Sequence, residues 1–375
     1  MPKVQPDYIT KSGEKSRERE VHIMKFNKIS KKLAACSLAG VMMVSMLGMT
    51  AFAKTGTTTD DVTFTKTLDM SEAVGASVPD VEFAYEITPG AHVEATETSP
   101  EILAGITGAK IANVAFSPAD TVDLNNKVVK IATVDFNDVK WTAPGIYRYT
   151  ITEQNSKNAD VINDSAATRT LDVYVVNDGE GGYKIASQAM IEGTAAPTGK
   201  DYATESKSDG FTNSYKTYAL SLKKVVDGTM GDKGRTYNFT INFEGPANAS
   251  FKMGEETVTL NNAGIGSTNI GLTNGSMKNI NGIPSTVKYT VVENINKNDG
   301  YTVRYTVGGT DATSATYATS TEKTMGKADN AVVCTNLKNA VTPTGIAMTV
   351  APYILMVAVA GIFAVLFLRR RHEEA

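Results

Sequence analysis

The sequence predicts an all-β protein built from two tandem β-sandwich domains, and two observations carry that expectation. Through the middle of the chain, short runs rich in Val, Thr and Tyr alternate apolar and polar residues and are broken by Gly, Pro, Asn and Asp. That is strand-and-turn patterning rather than the period of an amphipathic helix. Three of the runs then recur in the same order further along, which marks a repeated module.

The individual runs support this in turn. Val62, Phe64, Lys66 and Leu68 fall on one face of the first strand. Tyr147, Tyr149, Ile151 and Glu153 share a face just after the turn at Pro144-Gly145, and Phe211 and Asn213 share a third. The second set places Leu220, Leu222, Lys224 and Val226 in phase, then Tyr289-Thr290-Val291-Val292-Glu293, then Cys334-Thr335-Asn336. The order and phase predict one domain over 54–215 and another over 216–340, with almost no linker.

The two ends predict export and anchoring. Residues 1–23 are polar and precede Met24, as expected of a start assigned too early. Residues 24–53 read as a signal peptide: four lysines between Lys25 and Lys32, an apolar run from Leu33 to Thr50, then the small-x-small site Ala51-Phe52-Ala53. At the other end, Ile346 to Leu368 carries no charge, is long enough to span a bilayer, and runs into Arg369, Arg370 and Arg371. Val341-Thr342-Pro343-Thr344-Gly345 stands just before it and resembles a sortase sorting signal. That resemblance implies cleavage between Thr344 and Gly345, and makes 341–375 sorting signal, span and basic tail. The common pattern has Leu-Pro at its first two positions, whereas here Pro is third. A plain single-span anchor is the alternative.

Composition narrows the function. A net charge of -3 and a pI near 5.8 give no basic footprint for nucleic acid. Between Lys54 and Thr344 there is one cysteine, Cys334, and one histidine, His92; Cys36 leaves with the signal peptide. This excludes an intramolecular disulfide and leaves no His/Cys metal cluster, Ser-His-Asp set or Cys-His pair. There is no phosphate-cradling glycine loop, and no pattern among the acidic residues points to catalysis. We therefore expect no enzyme activity and no cofactor or metal.

Each module does place one Lys, one Glu and one Asn in phase with its core residues. A lone buried charge is costly, and such groups pair or neutralise. One reading is a Lys-Glu ion pair, or side chains whose ends reach water. The other is an isopeptide bond: a desolvated neutral lysine amine attacks the Asn carbonyl while a neighbouring protonated carboxyl assists.

The ordered set resembles the T-antigen-type backbone pilins of Gram-positive sortase-assembled pili. The match takes in Phe64-Thr65-Lys66-Thr67-Leu68-Asp69, Pro144-Gly145-Ile146-Tyr147-Arg148-Tyr149 through Glu153, Phe211-Thr212-Asn213, Leu222-Lys223-Lys224 and the Pro-Thr-Gly signal. The resemblance implies immunoglobulin-like (Cna-B-like) sandwiches, a Lys66–Asn213 amide with Glu153 as the acid, and a Lys224–Asn336 amide with Glu293. It implies that a further lysine accepts the next subunit's threonyl group; Lys207 fits best, with Lys200 and Lys216 as competitors. The implied partners are a pilin sortase, identical subunits, peptidoglycan, and in some settings minor pilins or host ligands, at the cell wall surface. A monomeric wall-anchored adhesin or a minor pilin is the alternative function.

Overall fold

The computed structural model describes residues 62–97, 99–194, 207–340 and 344–373. The upstream segment, the signal peptide, Lys200 and residues 341–343 lie outside them. Among the described residues, the regular structure before the C-terminal helix is strand, as expected, apart from one short 3-10 turn at Lys297–Asp299.

In the first module one sheet runs, in spatial order, Lys110–Ile111, Lys127–Asp135, Val62–Asp69, Gly210–Tyr215, Val161–Ile162. The facing sheet runs Tyr183–Glu192, Thr168–Asn177, Gly145–Glu153, Tyr85–Pro89, and the short strand Val81–Phe83 pairs separately with Val114–Phe116. Phe64, Leu68, Phe83, Tyr149, Ile151, Leu171 and Phe211 fill the space between.

The second module has its own core, with Leu222, Phe239, Ile241, Phe251, Val291 and Tyr305 near its centre. Its larger sheet runs Glu256–Thr259, Ser250–Met253, Met277–Ile283, Tyr218–Asp227, Asn330–Leu337, Thr302–Val307, Thr310–Asp311. Its smaller sheet runs Ile265–Leu272, Tyr237–Glu244, Lys288–Glu293, Lys323–Thr324.

One topological feature is common to both modules. The first and last strands lie side by side and run parallel: Val62–Asp69 beside Gly210–Tyr215, and Tyr218–Asp227 beside Asn330–Leu337. A parallel neighbour cannot be reached by a hairpin, so the rest of each module is the crossover that returns the chain. Gly210 permits the first of these closures. Its φ is +151°, and a Cβ there would stand 1.8 Å from the Thr65 carbonyl oxygen.

Only Lys216 and Thr217 separate the last strand of one module from the first strand of the next. Around them the modules share hydrogen bonds. Thr217 N donates to Glu72 O (3.2 Å), Ser77 N to Ser250 O (2.9 Å), and Ser285 N to Asp160 Oδ2 (2.7 Å).

A helix, Thr344–Glu373, covers the apolar C-terminal stretch and contains Pro352. Its described side chains from Tyr353 to Leu366 include ten large apolar groups, all exposed, among them Ile354, Leu355, Val357, Ile362 and Phe363. Among the described residues, no helix is long and apolar enough to cross a membrane. The span expected over 346–368 falls partly on side chains outside that description.

Candidate functional site

Period-two alternation determines which side chains enter each core. Along Val62–Asp69 the residues alternate between buried and half-buried, so Lys66 points inward with Phe64 and Leu68. Along Gly210–Tyr215 the inward residues are Phe211, Asn213 and Tyr215. The parallel register pairs Lys66 with Phe211 and Leu68 with Asn213, which sets lysine and asparagine diagonally on one face of adjacent strands. Glu153 reaches them from the last position of Gly145–Glu153 in the facing sheet.

The second module repeats this arrangement. Lys224 pairs with Cys334 and Val226 with Asn336, giving the same two-residue offset. Glu293 ends Lys288–Glu293 in the facing sheet. All six residues are buried, the two lysines and two asparagines completely, so the lysine and asparagine ends are sealed from water.

In the first cluster Lys66 Nζ contacts both Glu153 Oε1 and Asn213 Oδ1. The amine lies 3.8 Å from the centroid of the Phe83 ring. Phe64, Tyr85 and Phe211 pack beside it with ring centroids 5.2–5.6 Å apart. Burial in this apolar wall lowers the Lys66 pKa to about 8, although the Glu153 charge opposes the shift. Burial likewise raises Glu153 above the usual carboxylate range, despite Lys66 beside it. The two groups are thus driven toward their neutral forms. The Asn213 Nδ2 group is buried without a hydrogen-bond partner, and the buried Tyr85 hydroxyl lies beside Glu153 without a well-aligned bond to it. The Tyr85 pKa is raised, by burial first and by the Glu153 charge second.

In the second cluster Lys224 Nζ lies 2.9 Å from Glu293 Oε1 and 3.4 Å from Cys334 Sγ. Asn336 Nδ2 donates to the same Glu293 oxygen at 2.9 Å. The rings of Tyr237 and Phe239 stand over the amine at 4.7 and 5.6 Å. Cys334 Sγ is 3.7 Å from Glu293 Oε2 and 3.8 Å from Asn336 Oδ1.

The remaining expected residues are placed as follows. Lys207 is exposed and makes a single bridge to Ile191. Lys216 is also exposed but is held 2.8 Å from Glu72 Oε2. Thr344 and Gly345 begin the C-terminal helix, while Val341, Thr342, Pro343 and Lys200 lie outside the described residues.

Sequence reasoning missed the anchor that holds the last strand of the first module. Asp164 Oδ2 accepts from Thr212 N (2.8 Å) and from Arg169 Nη2 (2.9 Å). Arg169 Nε reaches Ser208 Oγ at 2.8 Å and Gly210 O at 2.9 Å, and its guanidinium lies 4.5 Å from the Phe211 ring centroid. The anchor therefore grips the segment between exposed Lys207 and buried Asn213. Nothing in the local sequence pairs Asp164 with Thr212 across 48 residues.

Residues 62–216 match the model of the Spy0128-like isopeptide-containing domain, FctA. The first module is similar to domains of that family over its whole described length. Residues 218–338 match a domain of unknown function, DUF7601. Across both, the chain is 27% identical over 357 residues to a curated protein named pilin from Streptococcus pyogenes serotype M1, covering 91% of this chain and 99% of that one. The crystal structure of the major pilin from Streptococcus pyogenes superposes with a TM-score of 0.59 at 21% identity, covering 76% of this chain and all of the other. The T3.2 major pilin of that species gives 0.57 at 21%, covering 75% and 99%. The fold is that of these pilins, and the resemblance to T-antigen-type backbone pilins stands over both modules.

Proposed function

We propose that this chain is the backbone subunit of a surface pilus, polymerised and anchored by sortase and stabilised by one internal Lys-Asn amide in each module. The observation that carries the reading is the pair of fully buried Lys-Glu-Asn clusters, set at the same register between first and last strands of a pilin-like fold. The bonds are Lys66–Asn213 with Glu153 and Lys224–Asn336 with Glu293.

The chemistry follows from the site. The neutral lysine amine adds to the Asn side-chain carbonyl carbon. The protonated glutamic acid passes a proton to the departing nitrogen, which leaves as ammonia. The amine proton returns to the glutamate, so the residue ends as it began. In the loop-entropy model used for disulfides, tying positions 66 and 213 stabilises the fold by about 5 kcal/mol.

In this reading the exported chain begins near Lys54 after removal of residues 24–53, and folds as domains over 54–215 and 216–340. Sortase cuts between Thr344 and Gly345 and joins Thr344 to Lys207 of the next subunit, or to peptidoglycan at the base. The stretch Ile346 to Leu368 holds the precursor in the membrane until that cut. Lys207 is exposed, as an acceptor must be, whereas Lys66 and Lys224 are sealed in the cores.

The test is a denaturing gel of the cell-wall fraction. A high-mass ladder, with Thr344 linked to Lys207 in its peptides, is expected. A single wall-linked band would leave a monomeric adhesin.

A further inference from the structure

We infer that Cys334 takes part in forming the second amide, its thiol donating a hydrogen bond to the Asn336 carbonyl oxygen as the Lys224 amine attacks. This inference rests on the crosslink reading above and adds a residue to it.

The evidence is positional. Cys334 is fully buried and is the inward residue directly opposite Lys224 in the parallel pair. Its sulfur lies within 3.4–3.8 Å of the amine, of the second Glu293 oxygen and of the Asn336 carbonyl oxygen. Glu293 Oε1 is already engaged, by Lys224 and by the Asn336 amide nitrogen. The acid is therefore aligned with the nitrogen that departs, which leaves the carbonyl oxygen to another donor. The thiol is placed beside that oxygen, 3.8 Å away, and carries a hydrogen to donate. In the first module the corresponding residue is Phe211, and there Lys66 contacts the carbonyl oxygen itself.

The protonation state suits the role. Burial, reinforced by the Glu293 charge, pushes the Cys334 thiol up to about 12, so the sulfur keeps its hydrogen and acts as a donor, not as a nucleophile. Charge grows on the carbonyl oxygen as the N–C bond forms, and a donor fixed beside it stabilises that charge in a dry site. On collapse the oxygen reverts to a carbonyl, Nδ2 leaves as ammonia through Glu293, and the thiol is unchanged. Burial also shields a lone thiol from oxidants outside the cell.

The experiment synthesises the whole chain in a cell-free system and follows ammonia loss at each site over time by peptide mass. Cys334→Val removes the donor while keeping the site filled with an apolar group, and Cys334→Ser keeps a donor. Because a thiol is a weak donor, Val should slow the Lys224–Asn336 bond about ten-fold, and Ser should restore the rate. The Lys66–Asn213 bond in the same molecules should form at an unchanged rate and report an intact fold. Equal rates in the Val variant and the unaltered chain would overturn the inference and leave the crosslink reading standing. Slowing by Val and Ser alike would mark a packing effect and overturn it too. An unaltered chain with no bond at Lys224 would remove the crosslink reading for that module, and the inference with it.

Discussion

The two crosslink clusters share a backbone frame and differ in almost everything packed around it. In both, the asparagine sits two residues beyond the lysine's cross-strand partner, and the glutamate enters from the facing sheet. In the first, the amine touches the asparagine, the departing nitrogen has no partner, and the rest of the wall is Phe83, Tyr85 and Phe211. In the second, the amine touches the acid and a thiol, and the departing nitrogen is already bonded to the acid. Register across a parallel strand pair is therefore what the two clusters have in common, and what the proposed reaction requires of the fold. The identity of the nearby donors is adjustable.

Removing the acid gives the largest expected effect. Glu153→Ala and Glu293→Ala should each leave one amide unformed and raise the intact mass by about 17 Da, the ammonia otherwise lost. Each variant should also unfold at lower denaturant, by about 5 kcal/mol of lost loop closure, together with the cost of leaving a buried lysine without its carboxylate partner. An intact mass equal to that of the unaltered chain would show that the acid is dispensable.

The pH response separates the clusters next. In the uncrosslinked fold, burial lowers the Lys66 pKa to about 8 from an ordinary value near 10.5. The first bond should therefore form faster as pH rises toward 8, because the neutral amine becomes the main species. The sign for stability is the same: between about 8 and 10.5 the unfolded chain binds the extra proton, so an uncrosslinked first module gains stability as pH climbs through that window. Glu153 acts oppositely, since its raised pKa removes stability as pH rises from 4.5 through its folded value. Rates of mass loss in freshly synthesised Asn213→Ala and Asn336→Ala chains, each retaining one bond, resolve the two profiles.

A smaller effect is expected from Tyr85→Phe. Tyr85 stands opposite Glu153 in register, and Phe239 holds the matching place opposite Glu293. The change deletes a buried hydroxyl without a well-aligned hydrogen bond, so thermal unfolding should shift upward or not at all. A loss above about 1 kcal/mol would reveal a hydrogen bond to Glu153 that the folded structure uses. The smallest effect on stability belongs to Lys207→Ala. Melting should barely change while the high-mass ladder disappears. A ladder that persists would move the acceptor to Lys200 or Lys216.

Most of the site was legible because strand periodicity needs only the local sequence. Phe64, Lys66 and Leu68, or Leu222, Lys224 and Val226, can be assigned to one face without knowing what lies opposite, and their burial follows that assignment. The repeat supplied the correspondence between clusters. Cross-strand register was not legible. Cys334 and Asn336 are visibly two apart on one strand, yet only the pairing of Lys224 with Cys334 brings the thiol onto the amine. Arg169 and Asp164 were unreadable for the same reason, since their partners come from distant strands.

The two-residue connector has a mechanical consequence if subunits are joined from Thr344 to Lys207. Tension then enters at Lys207, follows the last strand of the first module through Lys216 and Thr217, and continues into the strand that carries Lys224. It crosses the second amide to Asn336 and leaves at Thr344. Most of the first module hangs beside this route, while the segment from Lys224 to Asn336 is short-circuited. Without the second amide that segment could pay out roughly 400 Å of slack per subunit. With the proposed amide in place, a pulled fibre would stretch only as far as its strands and joints allow, and the two proposed amides would hold different offices: one limits length, the other keeps the side-mounted module closed.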